Sequence, residues 1–286
     1  AVKTAIAIRE KLTKDLYVWC DFSVQHIYSQ IAMQAFIMAD IPFVAAIPVL
    51  SHNLSKQEND CTIAYCEQRN IPYELFHIDV PAFFDSEEFE LHGETFPTTQ
   101  PQMTIVGKFF SMLPDCCVVY PGFMMHISNS DWTRTKNNGL MPFVPHGTQD
   151  HAAENHELEY TNFQEHYVDM YTSWMFTQSY GEVMKSATQE FVDNAPHRYY
   201  QYEVRTIKQA GFDIKPTTNK LISIERLKSH IGHDKYDKEL RQRLVPFSPL
   251  TLKYASLQYT VKVDTQLKEM LQIYHETNFE FLNKLF

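Results

Sequence analysis

The turn that follows the first apolar run of the sequence carries polar side chains at the start of a helical pattern. The run "LYVW" is β-branched and aromatic and predicts a strand, and an apolar helical pattern begins at Ile27. Between them lie Asp21, Ser23, Gln25 and His26. A strand, a polar turn and a helix N-terminus form the outline of an anion-binding loop, because the first N–H groups of a helix point towards the anion. This turn, however, contains no glycine, the residue that lets a backbone approach phosphate closely.

A second polar segment, Pro145–Tyr160, contains imidazoles and carboxylates at a spacing that could hold a divalent cation. The candidate ligands are His146, Asp150, His151, His156 and Glu157. The same composition is typical of a polar surface loop that leads into a helix, which is the interpretation we favour.

The other groups of reactive side chains fit structural roles better. The acidic run Asp85–Glu90 could bind Mg²⁺, but a solvated acidic turn is the simpler interpretation. No GxSxG motif accompanies a serine nucleophile, and Cys20 at a strand end is typical of a core residue. The aromatic stretches Trp174–Tyr180 and His197–Tyr202 have few basic neighbours to hold phosphates, so they favour a helix core or a protein interface over stacked bases.

Composition restricts the classes of protein to which this chain can belong. Its 286 residues carry a formal net charge of −10 without a stripe of Lys and Arg, which argues against a nucleic-acid-coating surface. The apolar stretches are shorter than the roughly 20 residues that span a bilayer, and the N-terminus lacks a signal peptide's apolar centre. Five cysteines without paired spacing favour reduced thiols in the cytosol. We therefore expect a soluble protein with neither membrane nor direct nucleic-acid binding.

The first 120 residues alternate strand and helix patterns. The predicted strands are Leu16–Cys20, Phe43–Val49, Tyr73–Val80 and Cys116–Tyr120, and the predicted helices are His26–Ala39, Lys56–Asn70 and Met103–Leu113. This alternation predicts an α/β fold with a parallel sheet flanked by helices.

The pattern changes after Pro121. We expect an α/β domain over residues 1–125, a long loop or lid over 126–158, and a mainly helical region over 159–286 that packs on the first domain. Gly211 is a plausible helix C-cap. The predicted helices of this region are Tyr160–Ala187, Pro196–Ala210, Ile222–His230 and Asp264–Leu285.

The order of these segments resembles the N-type ATP pyrophosphatase (PP-loop) family, whose fold is of the adenine-nucleotide α-hydrolase type. It looks most like the short asparagine-synthase-like proteins that bacteriophages encode. The resemblance rests on "VWCDFSVQHIYS", on Asn59–Phe89, on "TTQPQM", and on Gly211–Gly232 with the following turn "YDKELRQRLVPFSPL". Together these marks span Asp15 to Leu250.

The loop after the first strand reads SGGxDS in that family, and here it is degenerate. Asp21 stands for the first serine, Phe22 and Ser23 for the glycines, Gln25 for the aspartate and His26 for the last serine. A carboxylate then faces the pyrophosphate position, where two like charges at 4 Å repel by about 1 kcal/mol in water and ~4 kcal/mol at an effective dielectric of about 20. We expect these residues to be a vestigial nucleotide loop and the pyrophosphatase chemistry to be lost.

Two functions follow from the resemblance. The first is a non-catalytic structural or interaction component of a phage virion or phage-encoded assembly, with protein partners or self-association, no cofactor, and a place in the host cytoplasm or the virion. The second is an ATP-dependent, AMP-forming enzyme that uses Mg²⁺. In that case Ser23, Gln25, His26 and Lys220 or Arg226 contact phosphate, and Asp21 contacts the metal.

Overall fold

The computed structural model describes the greater part of the chain. The described residues are 1–20, 26–96, 101–122, 139–140, 146–164, 166, 173–174, 177, 204–216, 233–247 and 261–262. The chain divides into two compact units. The first comprises Ala1–Gly122, Pro145–Phe163 and Lys215–Gln258, and the second comprises Phe123–Val144, Gln164–Ile214 and Tyr259–Phe286.

A five-stranded parallel sheet forms the centre of the first unit. Its strands are β1 (Leu16–Trp19), β2 (Val44–Leu50), β3 (Tyr73–Ile78), β4 (Cys117–Tyr120) and β5 (Glu159–Asn162). Their spatial order is β3-β2-β1-β4-β5, and all neighbouring pairs are parallel. The predicted α/β class with a parallel sheet is confirmed.

Eight helices are described in the first unit. They are α1 (Val2–Lys11), α2 (His26–Met38), α3 (Lys56–Arg69), α4 (Val80–Asp85), α5 (Glu88–Thr95), α6 (Pro101–Met112), α7 (His146–Asn155) and α8 (His233–Leu244). Because crossovers between parallel strands are almost always right-handed, we expect α2 and α3 on one face of the sheet and the helices between β3 and β4 on the other. The strands and helices predicted before residue 121 agree with the observed ones to within two residues at each end.

Aromatic side chains fill the core between β1, β4 and α6. Trp19 lies 5.8 Å from Phe109, 5.6 Å from Phe110 and 4.9 Å from Tyr120 between ring centroids. Both β1 and β4 are buried along their whole length. This pattern is the one expected of central strands covered on both faces, whose sequences are continuously apolar.

Two segments differ from the predicted secondary structure. Residues Glu159–Asn162, expected to lie at the start of a helix, form strand β5, because their backbone pairs with β4 from Cys117 to Tyr120. Residues His146–Asn155, placed in the predicted loop or lid, form α7, which buries Ala152 and Ala153.

Three further segments differ from the predicted secondary structure. Val2–Lys11 is helical and buries Thr4, Ala5 and Ile8. The acidic run Asp85–Glu90 joins the end of α4 to the start of α5. The sequence "YDKELRQRLVPFSPL" was expected to form a turn, but its residues up to Leu244 belong to helix α8.

The second unit is described only in pieces. Residues 204–209 are helical, and Gly211 follows with φ +90°, as the predicted C-cap requires. The short strands Gly139–Leu140 and Val261–Lys262 pair in antiparallel fashion. The predicted helices Ile222–His230 and Asp264–Leu285 lie outside the described residues. Within the described parts of both units, no helix is long and apolar enough to cross a membrane.

Candidate functional site

The strand order creates a topological switch point at the centre of the sheet. From β1 the chain proceeds to β2 and β3 on one side, and then returns to β4 on the other side of β1. In open α/β sheets, ligands bind in the crevice outside the carboxyl ends of the two strands where the order reverses. The turn after β1 and the segment after β4 leave the sheet at this point.

The predicted vestigial loop follows directly from β1. Asp21, Ser23 and Gln25 lie outside the described residues, whereas His26 is the first residue of α2. Their role in binding a nucleotide therefore stays a prediction. The structure describes the elements on either side of them in the chain, β1 at the switch point and α2.

The described backbone on either side of the switch point is buried. The N–H group of Cys20 donates to the carbonyl oxygen of Ala46 at 2.8 Å, and its thiol donates to the carbonyl oxygen of Val18 at 3.6 Å. After β4, Pro121 and Gly122 are also buried, and Gly122 has φ +74°. Glycine adopts this left-handed conformation at little cost, so the backbone at Gly122 can depart from the extended conformation of β4.

Two serine hydroxyl groups after β2 accept hydrogen bonds from neighbouring segments of the chain. Ser51 Oγ accepts a hydrogen bond of 3.0 Å from the N–H of Val80, at the start of α4. Ser55 Oγ accepts one of 3.1 Å from the N–H of Leu50 and one of 2.9 Å from Asn59 Nδ2. These serines connect β2 with α3 and α4, which is a structural use of side chains at the carboxyl edge of the sheet.

The carboxylate after β3 has a structural use as well. Asp79 Oδ1 accepts a hydrogen bond of 3.2 Å from the N–H of Ala82, and Pro81 occupies the first turn of α4. Asp79 is thus an N-cap of the kind that stabilises a helix by about 1 kcal/mol.

Gln30, one turn into α2, fixes a distant segment of the chain. Its Oε1 accepts a hydrogen bond of 2.7 Å from the N–H of Lys215, and its Nε2 donates to the carbonyl oxygen of Lys215 at 3.2 Å. The side chain is fully buried. No sequence pattern indicated this contact, because the partners are 185 residues apart.

The candidate metal segment forms α7 and the turn that follows it. The side chains of His146 and Asp150 lie outside the described residues. His156 instead faces His92 of α5, with the two ring centroids 5.9 Å apart. Among the side chains that the structure describes, no group of three or more His, Cys, Asp and Glu residues could hold a metal ion.

The acidic run also turns towards protein cations. Lys108 Nζ of α6 contacts Glu88 at 2.6 Å, and Arg243 of α8 donates to both carboxylate oxygens of Glu90, the closer contact coming from Nε. These hydrogen bonds lower the pKa values of Glu88 and Glu90. Their side chains remain 54% and 37% exposed, so the predicted solvation holds for both, but Glu88 and Glu90 lie in the first turn of α5 and not in a turn between elements.

The buried thiols are poor nucleophiles. Burial raises the pKa values of Cys66, Cys116 and Cys117 to about 12, so these groups remain protonated at neutral pH. No disulfide bonds form, since all five cysteines are free. Cys20, whose position at a strand end predicted a core residue, is buried as well.

Comparison with known proteins leaves the family of the chain open. No protein-family profile matches the chain, and no curated protein matches it. The five-stranded parallel sheet with flanking helices is compatible with a PP-loop type of fold. Membership of the PP-loop family stays a prediction from the sequence marks.

Proposed function

We propose that this protein is a non-catalytic member of the PP-loop type of fold that acts through protein contacts. Its setting would be a phage virion or a phage-encoded assembly in the host cytoplasm. The observation that carries the proposal is the turn at the switch point, which contains no glycine between Cys20 and His26. Glycine is the residue that best lets backbone N–H groups close on a pyrophosphate group, so its absence argues against such binding.

The neighbouring loops support the same proposal. At the carboxyl edge, Ser51 and Ser55 accept hydrogen bonds from backbone N–H groups of other segments, and Asp79 caps α4. The hydrogen bonds of these polar groups stabilise the fold. An enzyme of the family's type would direct such groups towards phosphate and metal.

Exposed apolar side chains offer surface for protein contacts. Ile37 and Met38, consecutive residues at the end of α2, are 44% and 70% exposed. Leu91 of α5 and Val245, which follows α8, are 54% and 60% exposed. Aliphatic and methionine side chains of this kind contribute to the buried centres of protein interfaces.

The alternative function is an AMP-forming, ATP-dependent enzyme with Mg²⁺. One observation favours it, namely that the turn lies at the position where open α/β sheets bind ligands. In this alternative Ser23, Gln25 and His26 contact phosphate, with Lys220 or Arg226, and Asp21 contacts the metal.

Calorimetric titration of the full chain with Mg²⁺-ATP separates the two functions. We expect no binding up to millimolar ATP, and light scattering of the same sample should show self-association or a complex with an added partner. The turn variant Ser23→Ala/His26→Ala should behave as the wild type does. Micromolar ATP binding that this variant abolishes would overturn the proposal. The matched control is Ser111→Ala/His77→Ala, which changes the same residue types on α6 and β3.

A further inference from the structure

Two histidines meet where the C-terminal ends of α5 and α7 come together. His92 lies in the last turn of α5 and is 3% exposed, and His156 follows α7 directly. Their ring centroids are 5.9 Å apart with the ring planes inclined by 44°. Beside them, Asn155 Nδ2 donates a hydrogen bond of 3.3 Å to the carbonyl oxygen of Thr95. These contacts form the joint between α5 and α7.

The joint is closely packed around His92. The ring of Phe83 from α4 lies 5.8 Å from the His92 ring. Gly107 of α6 lies so near that a Cβ atom there would be 3.3 Å from His92 Cβ and 3.4 Å from its Nδ1. Thr95 Oγ1 is 3.4 Å from the same Nδ1. Little room remains for water to solvate a charged imidazole.

The second ring is also ill-placed to carry a charge. The Nε2 atom of His156 is buried and has no hydrogen-bond partner in the described part of the structure. A protonated imidazole donates from both nitrogens, so this atom would hold a buried donor without an acceptor. Two positive rings at this separation would also repel each other.

The charged groups around the joint come from the helices that pack on it. Lys108 of α6 and Glu88 of α5 act on His92 with opposite signs, and they pair with each other at 2.6 Å. His156 is the titratable group that faces His92 from the end of α7. Helix C-termini favour cations. Here burial outweighs that effect, because it lowers the pKa of His92 to about 4 and lowers the pKa of His156 as well.

We propose that the contact between α5 and α7 is an acid-sensitive joint. It is closed while both imidazoles are neutral, and it opens when they take up protons, with the parallel sheet remaining paired. The proposal is independent of the function proposed above, since neither histidine lies at the switch point.

The direction of the pH effect follows from the lowered pKa values. Opening the joint hydrates the rings, so their pKa values return towards 6.5, and the open state then binds more protons than the closed state. The joint is fully stable above about pH 6.5 and loses stability as the pH falls towards 4. For His92 alone, the pKa is about 4 in the closed state and returns towards 6.5 in the open state. This difference makes the ratio of open to closed molecules about 30-fold higher at pH 5 than at pH 8.

Hydrogen exchange followed by mass spectrometry tests the joint on the full chain. Protection factors, corrected for the intrinsic pH dependence of exchange, are measured from pH 8 to pH 5 for peptides that cover α5, α7, β1 and β4. We expect protection in α5 and α7 to fall by about 30-fold or more, with β1 and β4 retaining their protection. The variant His92→Gln/His156→Gln, which cannot take up these protons, should lose most of this pH dependence. The control variant His77→Gln, at an exposed position of β3, should keep it.

Three results would overturn the proposal. The first is protection in α5 and α7 that does not change with pH in the wild type. The second is an equal loss of protection in β1 and β4, which would mean global unfolding. The third is a wild-type pH dependence that persists in the double variant. If the double variant does not fold, NMR titration of the wild-type rings decides: ring pKa values well below 6.5 support the joint, and ordinary values contradict it.

Discussion

Replacing Gly93 with alanine tests how closely α8 packs on α5. A Cβ atom at this position would overlap Leu244 Cδ2 and would lie 3.2 Å from two ring carbons of Phe247. Leu244 is fully buried, so its side chain has little freedom to move aside. Leu244 can therefore pack against α5 because Gly93 has no side chain.

Two opposing effects determine the size of the change. Alanine is a better helix former than glycine by about 1 kcal/mol, which favours the variant. Overpacking of a close contact typically costs about 1–3 kcal/mol, which opposes it. We expect the overlap to prevail and Gly93→Ala to lower the free energy of unfolding by about 1 kcal/mol.

Urea unfolding monitored by circular dichroism measures this change in the free energy of unfolding. The variant Leu244→Ala removes the side chain that the new methyl group overlaps, so it should relieve part of the cost of Gly93→Ala. Leu244→Ala alone should cost about 2–5 kcal/mol, because it leaves a cavity in a fully buried site. Combined with Gly93→Ala, the total loss should be smaller than the sum by about 1–2 kcal/mol, since the new methyl group fills part of that cavity.

Gly107→Ala is the matched control for this cycle. Its Cβ would meet Phe96 Cβ at 3.1 Å and His92 Cβ at 3.3 Å, so it also crowds a helix contact but makes none with Leu244. Leu244→Ala should not rescue it. The reasoning is refuted if Gly93→Ala stabilises the protein by the full helix-propensity gain, or if its effect adds independently to that of Leu244→Ala.

Three further substitutions have expected outcomes in the same unfolding assay. Arg243→Ala should cost about 3 kcal/mol, because the guanidinium donates to the carbonyl oxygens of Phe84 at 2.5 Å and Ser86 at 2.9 Å and also pairs with Glu90; a loss below about 0.5 kcal/mol contradicts this. Gln30→Leu should cost about 2 kcal/mol through loss of two hydrogen bonds to one peptide unit, and unchanged stability would show that they do not form. Gly211→Ala should lower the free energy of unfolding by about 1 kcal/mol, because alanine is disfavoured at φ +90°. Gly211→Asn should lower it less, because asparagine tolerates this conformation better although it is larger; a purely steric effect would give the opposite order.

The central strands could be predicted from sequence because their signal is local. The run Cys116–Tyr120 is continuously apolar, and the structure buries all of β4. β5 gives no such signal, since it is half-exposed and begins with a glutamate. Its strand conformation depends on pairing with β4 and on Glu159, whose carboxylate accepts hydrogen bonds from the backbone N–H groups of Thr13 and Lys14. These partners are about 145 residues away, so no window of sequence contains them.

The same distinction applies to the candidate site. The strand before residues 21–25 and the helix after them could be predicted, because each has a local apolar pattern. That this strand lies at the switch point required the strand order. The Glu90–Arg243 pair, the Gln30 contact with Lys215 and the histidine joint could not be predicted, because each joins residues that are far apart in the chain.

Backbone pairing and aromatic packing hold β1 in the sheet. Pairing of β1 with β2 and β4 uses backbone groups from Leu16 to Trp19, and the cluster around Trp19 packs on α6 and β4. These interactions are made by β1 itself and by neighbouring elements, whereas phosphate binding at this point would depend on the local backbone conformation of the turn. The sheet alone is therefore no argument for activity, because its pairing is compatible with a turn that binds phosphate and with one that does not.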